Sequence, residues 1–100
     1  QEIIITKSKK YLPLIGAYGV IPKATKNVWD CQFIQEKEGE LTLVIVKDKK
    51  YSELDEKKLF IEFQKRFGDE IILSFEYVND IDRTQMGKSR FLIQKLPIKI

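Results

Sequence analysis

The chain has no histidine and a single cysteine, Cys31, in 100 residues. No internal disulfide is possible, and the usual imidazole and thiolate ligands of a zinc site are missing. A Ser–His or Cys–His nucleophile pair is excluded for the same reason, because Cys31 has no imidazole to activate it. Glycine (5) and proline (3) are sparse, which argues against a low-complexity or disordered segment. Long apolar runs are absent too. The longest stretch of that kind, Leu41-Thr42-Leu43-Val44-Ile45-Val46, is far shorter than the ~20 residues a membrane helix needs, so no membrane contact is expected. Neither an initiator Met nor a basic-then-apolar leader precedes Ile3-Ile4-Ile5. The expectation is a cytoplasmic piece of a longer protein.

What is present is the composition of one folded domain over residues 1–100, with 43% hydrophobic and 33% charged residues. The net charge is only +3, and the lysines are interspersed with acidic residues rather than clustered. That distribution argues against a nucleic-acid partner.

Residues 2–6 and 10–15 are short apolar runs separated by the polar turn Lys7-Ser8-Lys9-Lys10, predicted to pair as a hairpin. Pro22 suits the first turn of a short helix. Residues 28–36 and 40–47 predict two strands joined by Lys37-Glu38-Gly39. The second is apolar on both faces, so a central strand covered on two sides is expected. Ser52 and Asp55 resemble a capping box with Asp in place of Glu. Leu59, Phe60, Phe63 and Phe67 then recur at helical spacing, and Gly68 offers a C-cap. Ile71, Leu73, Phe75 and Tyr77 alternate with more polar neighbours as in a half-solvated strand. Phe91-Leu92-Ile93 reads as an edge strand or a tail. Trp29 and Phe33 are expected in the core, Cys31 as inert packing, and the charges from Glu53 to Lys65 as a solvated helix face. The resulting fold class is α+β, with a small sheet of about three strands, helices packed on it and an N-terminal β-hairpin.

Asp82 to Ser89 nearly spells the phosphate loop G-x-x-x-x-G-K-[ST], but Asp82 stands where glycine is required, and an apolar strand-like run follows where a helix should open. A different match covers more of the chain. The run Arg83-Thr84-Gln85-Met86-Gly87-Lys88, together with Cys31-Gln32-Phe33-Ile34-Gln35-Glu36, Tyr51-Ser52-Glu53 and Gly87-Lys88-Ser89-Arg90-Phe91, resembles the small C-terminal domain of adenylate-forming ligases. The likeness extends over roughly residues 28–96 and is strongest to the phenylacetate-CoA ligase branch, especially its capsular-polysaccharide-biosynthesis members.

That resemblance implies a lid domain attached to a larger N-terminal adenylation domain, its partner. The lid would present Lys88 to the carboxylate and α-phosphate of ATP, with Gly87, Arg83 and Thr84 supporting the loop. ATP and Mg are implied for the full-length enzyme, CoA is a possible acceptor, and no cofactor is implied for this domain alone. The isolated domain is expected to be inactive and open to self-association. Two departures stand out: Asp82 sits where the family often has proline, and the family's hinge residue would fall at or before Gln1. From the residues alone, the competing interpretation is a free-standing ferredoxin-like module that binds RNA or a small regulatory molecule. Arg90-Phe91-Leu92-Ile93 supplies one aromatic and no glycines for such an RNA-binding strand.

Overall fold

The computed structural model describes residues 2–81 and 91–99. The first apolar runs pair as the predicted hairpin, β1 (Ile3–Ile5) against β2 (Tyr11–Pro13), antiparallel with Ile4 opposite Leu12. The second run is shorter than expected, because Leu14 adopts a helical conformation and begins α1 (Ile15–Tyr18). Gly19 links this turn to α2 (Val20–Ala24), which contains Pro22.

β3 (Val28–Gln35) and β4 (Glu40–Lys47) form the expected antiparallel pair. Their connection requires glycine at Gly39, where φ is 76° and an added Cβ would lie 2.9 Å from Lys7 Cβ. Gly39 is also where three elements meet: its N–H donates to Ile5 O and its carbonyl accepts from Ile72 N. β5 (Ile72–Tyr77) runs parallel to β4, and β6 (Leu92–Gln94) runs parallel to β3, giving a four-stranded sheet in the order β5-β4-β3-β6.

α3 (Glu53–Phe67) follows its sequence signals closely, with Leu59 and Phe63 buried and Gly68 ending it at φ 55°. Cys31, Phe33, Leu41, Leu43, Ile45, Leu73 and Leu92 share one face of the sheet and join Leu59, Phe63, Ile4, Ala17 and Ile21 in one core. The described helices thus lie on one side. β4 is central as expected, but the two-sided cover expected for it is not general. On the open face Val44 is buried, whereas Thr42 and Val46 are half-exposed.

Trp29 corrects a sequence expectation. The β3–β4 register shifts between Val28 and Asp30, a bulge that breaks the alternation linking Trp29 to Phe33. Phe33 is fully buried, while Trp29 is 76% exposed. Cys31 is buried, as expected of a packing residue.

Asp55 is the one buried exception on the charged helix face. Ser52 N–H donates to Asp55 Oδ2 at 2.8 Å and Leu54 N–H to Ser52 Oγ, so the predicted capping box is formed. Thr25 Oγ1 donates to Asp55 Oδ1 at 2.6 Å and Asn27 Nδ2 donates to the same carboxylate, tying the end of α2 to the start of α3. The Thr25 hydrogen bond, reinforced by Ser52 and Asn27 and opposed by burial, holds the Asp55 carboxyl below its ordinary value of 3.8.

A depressed folded-state value means that the ionised form stabilises the fold above the unfolded value, and that this contribution is lost as pH falls through the folded one. Asp55→Asn should therefore cost about 1–2 kcal/mol at neutral pH, the scale of an N-cap loss. The gap between wild type and variant should close below roughly pH 4. Thermal melts from pH 7 to pH 2 test this, and a gap that persists at pH 2 would contradict the assignment.

Candidate functional site

The predicted site residues Arg83, Thr84, Gly87 and Lys88 lie outside the described residues. The described residues do fix where the chain leaves the sheet before this segment and where it returns. It departs at Tyr77 on the β5 edge and re-enters at Leu92 on the β6 edge, with β4 and β3 in between. Three inter-strand spacings separate these edges, about 14 Å. Leu92–Gln94 is a strand, not the helix that a phosphate loop opens.

The departure point is polar and aromatic. Val78 N–H donates to Ile45 O at 3.0 Å, fixing the end of β5. Tyr77 OH donates to Glu56 Oε1 at 2.5 Å, and Tyr51 OH lies 2.8 Å from Tyr77 OH. Because the Tyr77 proton points at the carboxylate, Tyr51 is the donor in the second bond, and the chain runs Tyr51 to Tyr77 to Glu56. The two rings meet edge to face at 5.6 Å, and Lys47 Nζ sits 4.4 Å from the Tyr77 ring centroid. Burial raises the Tyr77 phenol far above its ordinary value, and its bonds to Glu56 and Tyr51 push the same way. Burial also raises Tyr51, against an opposing contribution from Tyr77. Both phenols therefore stay protonated at neutral pH. Together with Ser52, Glu53 and Lys57, these side chains line a groove of about 610 Å³.

The return point is apolar. Phe33 N–H donates to Phe91 O and Leu92 N–H donates to Glu2 Oε2, both at 2.7 Å. Tyr18 packs edge-on against Phe91 with centroids 4.7 Å apart. Glu2, Pro13, Leu14, Ile15, Tyr18 and Phe91 surround a cavity of about 380 Å³. Glu2 and Tyr18 therefore hold the strand residues at which the chain returns after the Lys88 segment.

No local sequence feature signals the Tyr51–Tyr77–Glu56 chain, whose members come from a loop, a strand and a helix. Among the described residues no cluster of three or more His, Cys, Asp or Glu is placed to hold a metal ion, and no helix is long and apolar enough to cross a membrane. The open face of the described sheet is polar and aliphatic, with Gln32, Ile34, Thr42, Val44, Val46, Ser74, Glu76 and Ile93. It offers no row of rings on which bases would stack.

A mixed four-stranded sheet with its helices on one face, and a chain excursion joining its two edges, defines a small α+β domain. The chain belongs to the CapK C-terminal domain family, whose model matches residues 4–95, and is thus a C-terminal domain of a capsule-biosynthesis protein. No curated protein and no solved structure matches it. The run Arg83 to Lys88 lies inside the matched span.

Proposed function

We propose that this domain is the mobile lid of an ATP-dependent ligase that activates a carboxylic acid as its acyl or aryl adenylate, and that Lys88 is the residue it delivers. The observation that carries this reading is the run Arg83-Thr84-Gln85-Met86-Gly87-Lys88, lying within the family-matched residues and between two strands tied down at opposite edges of the sheet. In the proposed reaction a carboxylate oxygen attacks the α-phosphorus, a new P–O bond forms, and pyrophosphate leaves. Negative charge gathers between the two reacting anions. A compact ammonium on a long stem, brought in from a separate domain, stabilises that charge where it develops. Transfer of the acyl group to CoA or another acceptor, with AMP as the leaving group, would follow.

On this account the rest of the nucleotide site belongs to the preceding domain. A single charge-assisted contact contributes about 1.5–3 kcal/mol, whereas a dissociation constant of 1 mM requires about 4 kcal/mol. Calorimetric titration of the 100-residue chain with ATP should therefore show no binding tighter than millimolar. A micromolar isotherm would mean that this domain carries a nucleotide site of its own, and would overturn the proposal.

A further inference from the structure

The two edges of the four-stranded sheet are unequal. β6 has three residues and is followed by Lys95, paired with Glu36 at 3.3 Å, and by Pro97, features that discourage further strand addition. β5 has six residues and contains no lysine or proline, and no described strand pairs with its outer side. Ile72 N–H and Val78 N–H both point inward, to Gly39 O and Ile45 O. By the alternation of a strand, the N–H and C=O groups of Leu73, Phe75 and Tyr77 point outward. Beside this edge α3 exposes Phe60 and Ile61, 42% and 48% accessible, and these line an apolar groove of about 380 Å³ with Leu73 and Phe75.

We infer that β5 is a self-association edge, and that a second copy of this chain adds its own β5 antiparallel to it about a two-fold axis through Phe75. The occupant follows from self-complementarity. A two-fold pairing must keep each side chain on its own face of the joined sheet, so the axis passes through a residue position, and the two at the centre of the Ile72–Tyr77 edge are 74 and 75.

An axis at Ser74 sets the exposed Ile72 against the charge of Glu76, twice. An axis at Phe75 sets Phe75 against Phe75, Leu73 against Tyr77, Ile72 against Val78, and Ser74 against Glu76. Apolar meets apolar, polar meets polar, and the two Glu76 carboxylates do not oppose one another. The same register lets Leu73, Phe75 and Tyr77 exchange their outward backbone groups across the axis as hydrogen-bonded pairs. Glu56 and Lys57, of opposite sign, line the flanking groove, so a two-fold contact there repeats no single charge. An edge of six residues with one groove is a small interface, so the dimer is a weak one. The inference does not depend on the role of Lys88.

Sedimentation of the 100-residue chain should show the mass doubling, and going no further, as concentration rises from micromolar to millimolar. Single-cysteine additions fix the register. Opposed hydrogen-bonded residues have Cα atoms about 5.5 Å apart, within the ~4.4–6.8 Å that a disulfide spans. Phe75→Cys should therefore cross-link under mild oxidation, while Ser74→Cys, offset by two residues from its counterpart, should not. Circular dichroism confirms that each variant is folded. A wild-type chain that stays monomeric throughout, a dimer in which neither thiol pair cross-links, or cross-linking at residue 74 and not at 75 would each overturn the inference.

Discussion

Gln35→Leu is expected to destabilise the domain by about 2–4 kcal/mol, a large fraction of the total stability of a domain this size. Gln35 is fully buried and joins three parts of the chain. Its Oε1 accepts from Ile5 N–H at 2.8 Å and from Gln94 Nε2 at 2.7 Å. Its Nε2 donates to Ile5 O at 2.8 Å and to the carbonyls of Lys37 and Glu40 at 3.2 Å. Leucine fills a similar volume but leaves Ile5 N–H without its acceptor and takes one of the two acceptors of the Gln94 amide, which keeps Ile3 O. Ile5 O keeps its bond from Gly39 N–H, and Lys37 O keeps one from Glu40 N–H, so the loss centres on Ile5 N–H, one Gln94 amide hydrogen and Glu40 O. At ~4–8 °C per kcal/mol, the melting temperature should fall by roughly 10–25 °C.

Gln35→Glu separates the polar network from packing. An ionised carboxylate still accepts from Ile5 and Gln94 but cannot donate to Ile5 O, whereas the protonated acid can. Burial next to a carbonyl should raise the folded-state value of this new acid. Its stability would then be greatest below the unfolded value and lost as pH rises through the folded one. The Glu variant should thus approach wild type in acid while the Leu variant does not. A Leu variant melting within about 3 °C of wild type would show that the network contributes little.

Lys88→Ala in the full-length protein is expected to slow adenylation by about 10²–10³, the scale of removing one preorganised electrostatic stabiliser. The proposed contact forms as charge develops in the transition state. The loss should therefore fall on kcat, with the KM for ATP changing much less. Lys88→Arg should restore only part of the rate, since a planar guanidinium keeps the charge but cannot place it at a single point.

How much of this was legible beforehand differs from element to element. α3 was readable because its start, its face and its end are all written locally: Ser52 and Asp55, then Leu59 and Phe63, then Gly68. The β3–β4 hairpin was readable for the same reason. Trp29 was misplaced because the bulge between Val28 and Asp30 depends on pairing with β4, which local alternation does not reveal. The sheet proved to have four strands because β6 pairs in parallel with β3, a contact between residues far apart in the chain. Gln35 was missed although a signal was available. It shares its parity with Cys31 and Phe33, so a buried amide in need of partners could have been inferred. Of the candidate site, the lysine came from resemblance alone. The polar cluster at Tyr77 and the cavity at Phe91 required the fold, since each gathers residues from three or more separate segments.

The central claim is that Lys88 acts in carboxylate activation on a neighbouring domain. ATP–pyrophosphate exchange by the full-length protein, measured with its carboxylic acid, reports that half-reaction without interference from later transfer. Wild type should exchange label, and Lys88→Ala should lose about two to three orders of magnitude of that rate with its fold intact by circular dichroism. Exchange at the wild-type rate in the variant would contradict the account.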